Sequence, residues 1–233
     1  EGMLICFDAA SGDIQWSKHL PEQYDTKTAT WGYAAHPLID GERLITLAGG
    51  EGSHTVALNK QTGEEIWRSG TASEQGYSPP TIVEAAGARQ LILVSPDFVR
   101  AVNPETGTEY WSITYRATAG SIIMTPIRYN EYLYVAGYSD QSVLLKLSDS
   151  EPSAEVVWRN KKREAISPVN VQPYLSGDVL YGFDQSGIFA ALQLPGGKRL
   201  WDTPQPVADR AAGSATAFIV RQEDRFWMFT EKG

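Results

Sequence analysis

The sequence predicts an all-β fold, a β-propeller built from four-stranded antiparallel blades. Three observations carry this. A strand–turn–strand stretch recurs along the chain: Val56-Ala57-Leu58-Asn59-Lys60-Gln61-Thr62-Gly63-Glu64-Glu65-Ile66-Trp67 returns as Arg100-Ala101-Val102-Asn103-Pro104-Glu105-Thr106-Gly107-Thr108-Glu109-Tyr110-Trp111, and an earlier copy runs from Ile5 to Trp16. Five of the seven tryptophans (Trp16, Trp67, Trp111, Trp158 and Trp201) mark one position of that repeat. They recur at intervals of roughly 45 residues, a period typical of four-strand blades. Short apolar runs alternate with Gly- and Pro-bearing turns, and no long helical stripe is sustained.

Each copy explains itself locally. Val56, Ala57 and Leu58 suit a buried strand. Asp8, Asn59 and Asn103 open a turn, because a short polar side chain can bond the backbone just ahead. Gly12, Gly63 and Gly107 follow, where the turn calls for a positive φ. A second strand then ends in Trp, whose large flat ring fits a sheet-on-sheet packing site better than a solvent face. Two weaker copies end in Trp158, where the turn 148–152 is longer and lacks its Gly, and in Trp201, after Pro195-Gly196-Gly197.

Taken in order, residues 1–16 supply the last two strands of a blade, and residues 17–30 a polar connection. A full blade is expected to start with a first strand over 31–38. A turn at Asp40-Gly41, a second strand Arg43–Leu47, the Gly49-Gly50-Glu51-Gly52 loop and a third strand over 54–58 then follow. Later blades begin near 77–83, 121–127 and 166–175. Two more strands, 215–220 and 225–229, precede the final Glu231-Lys232-Gly233. This amounts to about five blade-equivalents, four complete and one split between the termini, in a single domain over 1–233. Either the two ends pair to close a five-bladed ring, removing exposed sheet edges, or the chain is a piece of a larger propeller. The second reading is favoured.

Composition narrows the function classes. Net charge is −8, with an isoelectric point near 4.9. That disfavours nucleic acid as a general partner, since phosphate binding needs a basic face. No apolar run is long enough to span a bilayer. Cys6 is the single cysteine, so no intramolecular disulfide forms and the compartment stays open.

No catalytic constellation emerges. His19, His36 and His54 are far apart and fall on different strands or loops, which argues against a shared zinc site. The loop 49–52 lacks the Lys-Ser/Thr pair and the helix of a phosphate loop. The segments 184–187 and 139–141 are too short for calcium loops and read as turns. Ser78, Ser121, Ser167 and Ser214 recur near the starts of first strands. With no histidine base nearby, they read as small residues where inner strands converge. The basic run 159–164 reads as a solvated loop between blades. Trp31, Tyr33 and Tyr77, with His36, gather at the start of two adjacent inner strands and form a candidate ligand mouth. Such aromatics suit a sugar, peptide or protein partner.

The motif Ala/Phe-x-Asn/Asp-x-x-Thr/Ser-Gly-x-x-x-Trp resembles the pyrroloquinoline-quinone-type (PQQ-like) repeat. The match is strong at 3–16, 54–67 and 98–111, and degenerate at 144–158 and 187–201. The group it resembles comprises bacterial exported propellers, including the scaffold lipoprotein of the outer-membrane β-barrel assembly machinery. Members usually have seven or eight blades. The resemblance implies that Trp16, Trp67, Trp111, Trp158 and Trp201 dock each blade on its neighbour. It also implies a periplasmic or exported location and a non-catalytic binding or scaffold module without cofactor, for protein or carbohydrate partners at the propeller face. The alternative within the group is a quinoprotein oxidoreductase using pyrroloquinoline quinone and calcium, its cofactor residues lying in missing blades or having diverged. Those enzymes carry an adjacent cysteine pair, which a chain with Cys6 alone lacks, and none of their calcium or base positions can be matched here residue by residue.

Overall fold

The computed structural model describes residues 1–161, 163–214 and 216–230. Lys162 of the basic run, Ala215 of the last first strand and the final Glu231-Lys232-Gly233 fall outside them. The chain divides into two compact units, Glu1–Arg116 and Ala117–Gly233. Twenty strands are present among the described residues, with one single-turn helix, α1 (Leu20–Gln23), and a 3₁₀ turn at Thr118–Gly120.

The first unit opens with a two-stranded sheet of β1 (Met3–Phe7) and β2 (Ile14–His19). Two complete antiparallel blades follow. The first comprises β3 (Leu38–Asp40), β4 (Arg43–Leu47), β5 (Thr55–Asn59) and β6 (Glu65–Ser69). The second comprises β7 (Thr81–Ala85), β8 (Ala88–Val94), β9 (Phe98–Val102) and β10 (Glu109–Thr114). The second unit repeats the plan. One blade is β11 (Ile127–Tyr129), β12 (Tyr132–Gly137), β13 (Gln141–Leu147) and β14 (Ala154–Arg159). The next is β15 (Tyr174–Ser176), β16 (Val179–Phe183), β17 (Phe189–Gln193) and β18 (Lys198–Thr203). A two-stranded sheet of β19 (Ala217–Gln222) and β20 (Arg225–Thr230) is the last in chain order among the described residues.

Burial follows from stacking sheets face to face. The second and third strands of each blade are buried almost throughout, as in β4 and β5. Their sequences are accordingly near-continuous apolar runs and do not alternate. Ile45, Leu47, Ala57 and Trp67 of the first complete blade interlock with Leu91, Leu93 and Val102 of the second. In the other unit, Met124, Tyr134 and Leu144 meet Ile166, Leu180, Ala190 and Leu192. The two half-blades pack one face only. Leu4 and Trp16 join the cluster around Leu44 and Leu58, whereas Met3, Ile5, Phe7 and Ile14 are exposed. Ala217, Ile219 and Met228 pack near Phe183 and Phe189, with Phe218, Val220, Trp227 and Phe229 exposed.

The first strands are shorter than the sequence suggests. Residues 31–37 are irregular, and pairing begins only at Leu38; the stretches expected near 77–83, 121–127 and 166–175 likewise yield β7, β11 and β15. The reason is in the chain. Each of these strands starts one residue after a proline: Pro37, Pro80, Pro126 and Pro173. Proline has no N–H to give a ladder, so pairing stops at it. The connection 17–30 departs too, since β2 runs on to His19 and α1 follows with Pro21 in its first turn, where no N–H is needed.

One device recurs that the motif conceals. In every third–fourth strand pair, including β1–β2, the register slips by one residue just before the tryptophan. Gln15, Ile66, Tyr110, Val157 and Leu200 are the extra residues. A bulge twists the strand and re-aims the next side chain. It also spoils the blade's outer edge as a template for foreign strands.

Candidate functional site

The turn opened by Asp8, Asn59 or Asn103 is built alike in its three strong copies. The side-chain oxygen accepts two backbone N–H groups: Ala10 and Ser11 at Asp8, Gln61 and Thr62 at Asn59, Glu105 and Thr106 at Asn103. The Ser11 and Ala10 amides hold the Asp8 carboxyl below the usual carboxylate range. In the degenerate copy Ser148 Oγ takes the same place, accepting from Ser150 and Glu151. The turn chemistry thus outlives the loss of the motif.

Three tryptophans seat on the turn of the following repeat. Trp16 Nε1 donates to Lys60 O at 3.1 Å, Trp67 Nε1 to Pro104 O at 3.1 Å, and Trp158 Nε1 to Pro195 O at 2.8 Å. The glycine of each receiving turn lies under the ring. A Cβ at Gly63 would stand 2.8 Å from Trp16, one at Gly107 2.6 Å from Trp67, and one at Gly197 2.9 Å from Trp158. These glycines also have φ of +74°, +73° and +71°. The motif's Gly therefore answers two demands, backbone conformation and room for the neighbour's indole. Gly12 carries only the first, with φ +79° and nothing within 4 Å of its Cβ position. Trp111 and Trp201 are placed otherwise: Trp111 Nε1 donates to Gln90 Oε1 of its own blade, and Trp201, 44% exposed, leans on Tyr181 and Phe189.

The two glycine roles separate by experiment. Gly12→Ala is expected to lose about 1 kcal/mol, the strain of a left-handed residue. Gly107→Ala should lose about 1–3 kcal/mol more, because its Cβ must displace a packed ring. Urea unfolding of the two variants measures the difference, and equal losses would remove the ring from the explanation.

The aromatic mouth is assembled on the irregular segment before β3. Trp31 is 58% exposed and meets Tyr77 edge-to-face, with ring centroids 5.5 Å apart. The backbone N–H of Trp31 donates to Tyr77 Oη at 3.1 Å. Tyr77 itself is buried. Tyr33 faces inward: its hydroxyl donates to Ala48 O at 2.9 Å, its ring packs on the cluster around Leu20 and Leu58, and burial raises its pKa. His36 is exposed, its Nδ1 lying 3.2 Å from Pro37 O, and it sits in irregular chain rather than on an inner strand. Of the four residues gathered by sequence, Trp31 and Tyr77 therefore touch, Tyr33 supports, and His36 stands apart.

Gln75, which no sequence motif marks, and His54, which the sequence offers only as a metal ligand, tie the mouth down. Gln75 is buried, and its Nε2 donates to Lys27 O at 2.7 Å and lies 3.0 Å from Tyr33 Oη. Its backbone carbonyl accepts His54 Nε2–H at 3.0 Å, while His54 Nδ1 lies 3.0 Å from Thr55 Oγ1. His54 is wholly buried against Phe98. That burial pushes the imidazole from 6.5 down to about 4, helped by the Arg100 charge and opposed by the Gln75 carbonyl and Asp97. The one signal in the sequence was position, since Gln75 directly precedes the Gly76-Tyr77-Ser78-Pro79-Pro80 run.

Other motif candidates resolve into structure. The segment 49–52 is the β4–β5 loop, and 184–187 and 139–140 are turns. Asp184 accepts Ser186 and Ile188 amides and pairs with Arg199 at 3.1 Å. Ser78, Ser121 and Ser167 are buried, but Ser214 is exposed at φ +63°, so the fourth serine leaves the pattern. Among the described residues, no three His, Cys, Asp or Glu side chains converge on one point. None of their helices is long and apolar enough to cross a membrane.

Residues 1–203 match a protein family described as Outer membrane protein assembly factor BamB. The chain belongs to that family. The BamB of Shewanella oneidensis is 22% identical over 209 residues, covering 84% of this chain and 50% of the relative. The chain thus spans about half the length of that curated relative. Among solved structures, BamB from Moraxella catarrhalis superposes over all of this chain and 68% of its own, with a TM-score of 0.66 and 19% identity. A europium-containing methanol dehydrogenase aligns with 91% of this chain and half of its own at a TM-score of 0.55 and 11% identity. These two likenesses establish the propeller fold and nothing of activity.

Proposed function

We propose that this chain is part of a non-catalytic periplasmic scaffold in outer-membrane protein assembly, and that it engages a protein partner through the mouth at Trp31. The carrying observation is an exposed indole held in place from beneath, by an edge-to-face ring and by a hydrogen bond to its own backbone. A large amphipathic ring that loses little freedom on binding makes an efficient anchor. Family membership supports the setting. The three tryptophan-on-glycine contacts are read as the docking that makes the blades rigid enough to present such a surface.

The quinoprotein alternative fits the residues poorly. The family match, to an outer-membrane assembly factor, does not favour it, and this stretch, with Cys6 as its single cysteine, carries no adjacent cysteine pair.

The test places a photoreactive phenylalanine analogue at position 31 of the chain exported to the periplasm of a Gram-negative host. A protein of outer-membrane assembly is expected in the adduct, and the same analogue at Gly12 should give none. Trp31→Ala should weaken binding of the purified partner about thirty-fold, or ~2 kcal/mol. No adduct at 31, or undiminished binding by Trp31→Ala, overturns the reading. Binding on an oligosaccharide array that Trp31→Ala abolishes would give the mouth to carbohydrate instead.

A further inference from the structure

We propose that Gln75 is the positioning residue of the Trp31 loop, and that its side-chain amide does for this loop what strand pairing does elsewhere in the blade. The proposal rests on the reading of the mouth given above. The loop 26–37 carries Trp31 yet has no regular structure of its own. It is pinned from one short segment. Gln75 Nε2 reaches Lys27 O on one side of Trp31 and Tyr33 Oη on the other, and Tyr77 Oη takes the Trp31 N–H between them. That segment is anchored in turn by His54 Nε2–H on the Gln75 carbonyl.

The surroundings are shaped to the amide. A Cβ on Gly49 would come within 2.7 Å of Gln75 Nε2 and 2.6 Å of Thr26 Oγ1. Only glycine leaves that space open, and φ there is +84°. The amide is also an uneconomical way to fill a core. Gln75 is 1% exposed, and its Oε1 has no hydrogen-bond partner among the described residues. A buried acceptor left unpaired destabilises, whereas an apolar side chain of similar length would not. A half-satisfied buried amide of this kind calls for an explanation outside folding stability. Holding a binding loop in one conformation before its partner arrives supplies one.

The experiment compares Gln75→Met with the unaltered chain. Methionine matches glutamine in length and removes the donor. Amide hydrogen exchange is followed over residues 26–33, over β4 and over β8, together with the thermal midpoint. Exchange in 26–33 is expected to rise about tenfold or more, with β4, β8 and the midpoint unchanged or firmer. Gln75→Glu, which cannot donate to Lys27 O, should loosen the same residues. Unchanged exchange in 26–33 overturns the proposal. So does a rise shared equally by β4 and β8, which would mark Gln75 as ordinary packing. Failure of the underlying reading looks different. If Gln75→Met loosens the loop while no partner crosslinks at position 31, the positioning stands and the binding reading falls.

Discussion

Trp67→Ala should lower the stability of the chain by about 3–5 kcal/mol, the range for emptying a buried aromatic site. The ring is 7% exposed and shares a cluster with Ile45, Leu47, Ala57, Leu91, Leu93 and Val102, from both blades of the first unit. It also satisfies Pro104 O. In a chain of this size the melting temperature should fall roughly 10 °C. Trp67→Phe keeps most of the contact and loses the Nε1 bond, so about 1–2 kcal/mol is expected. The pair Trp67–Gly107 gives a sharper test. Once the indole is gone, Gly107→Ala should cost only its backbone strain, about as much as Gly12→Ala. The two substitutions should therefore couple. Additive losses, or a Trp67→Ala loss under about 1.5 kcal/mol, would mean that the ring does not join the blades.

Acidification should destabilise the fold through His54 before most carboxylates titrate. The buried imidazole has its pKa at about 4, against 6.5 in the unfolded chain. Between these values the unfolded state binds a proton that the native state refuses, so stability falls as pH falls. Above pH 6.5 both states are neutral at His54 and the effect vanishes. From 6.5 down to 4 the loss approaches 1.4 kcal/mol per pH unit, about 3 kcal/mol in all. Unfolding midpoints measured from pH 7.5 to 4.5 would show it, and His54→Gln should flatten the slope over that interval. A flat profile in the unaltered chain, or the same slope in His54→Gln, would refute it.

Much of this architecture was legible in the residues. Asn59 and Asn103 before Gly63 and Gly107, with tryptophans at one period, announce a four-strand blade, because turn chemistry and strand burial are local matters. The turn survives even at Ser148, where the motif has decayed. Charge, the single Cys6 and the absence of a clustered donor set restrict the function classes in the same way. The prolines at 37, 80, 126 and 173 were equally visible, and their missing N–H groups decide where each first strand starts to pair.

Partnership across sequence distance was left to the tertiary structure. Nothing at Gly107 reveals that Trp67 lies on it, because that contact depends on how one blade stacks on the next. The bulges at Ile66 and Val157 that aim the rings are invisible in the motif, since a register slip belongs to a pair of strands. His36 and His54 look alike in sequence, yet one is exposed and the other wholly buried with a depressed pKa. Trp31 and Tyr77 could be gathered by eye. That Tyr33 turns inward, and that Gln75 holds the loop between them, followed only from the hydrogen bonds that packing forces on buried polar groups.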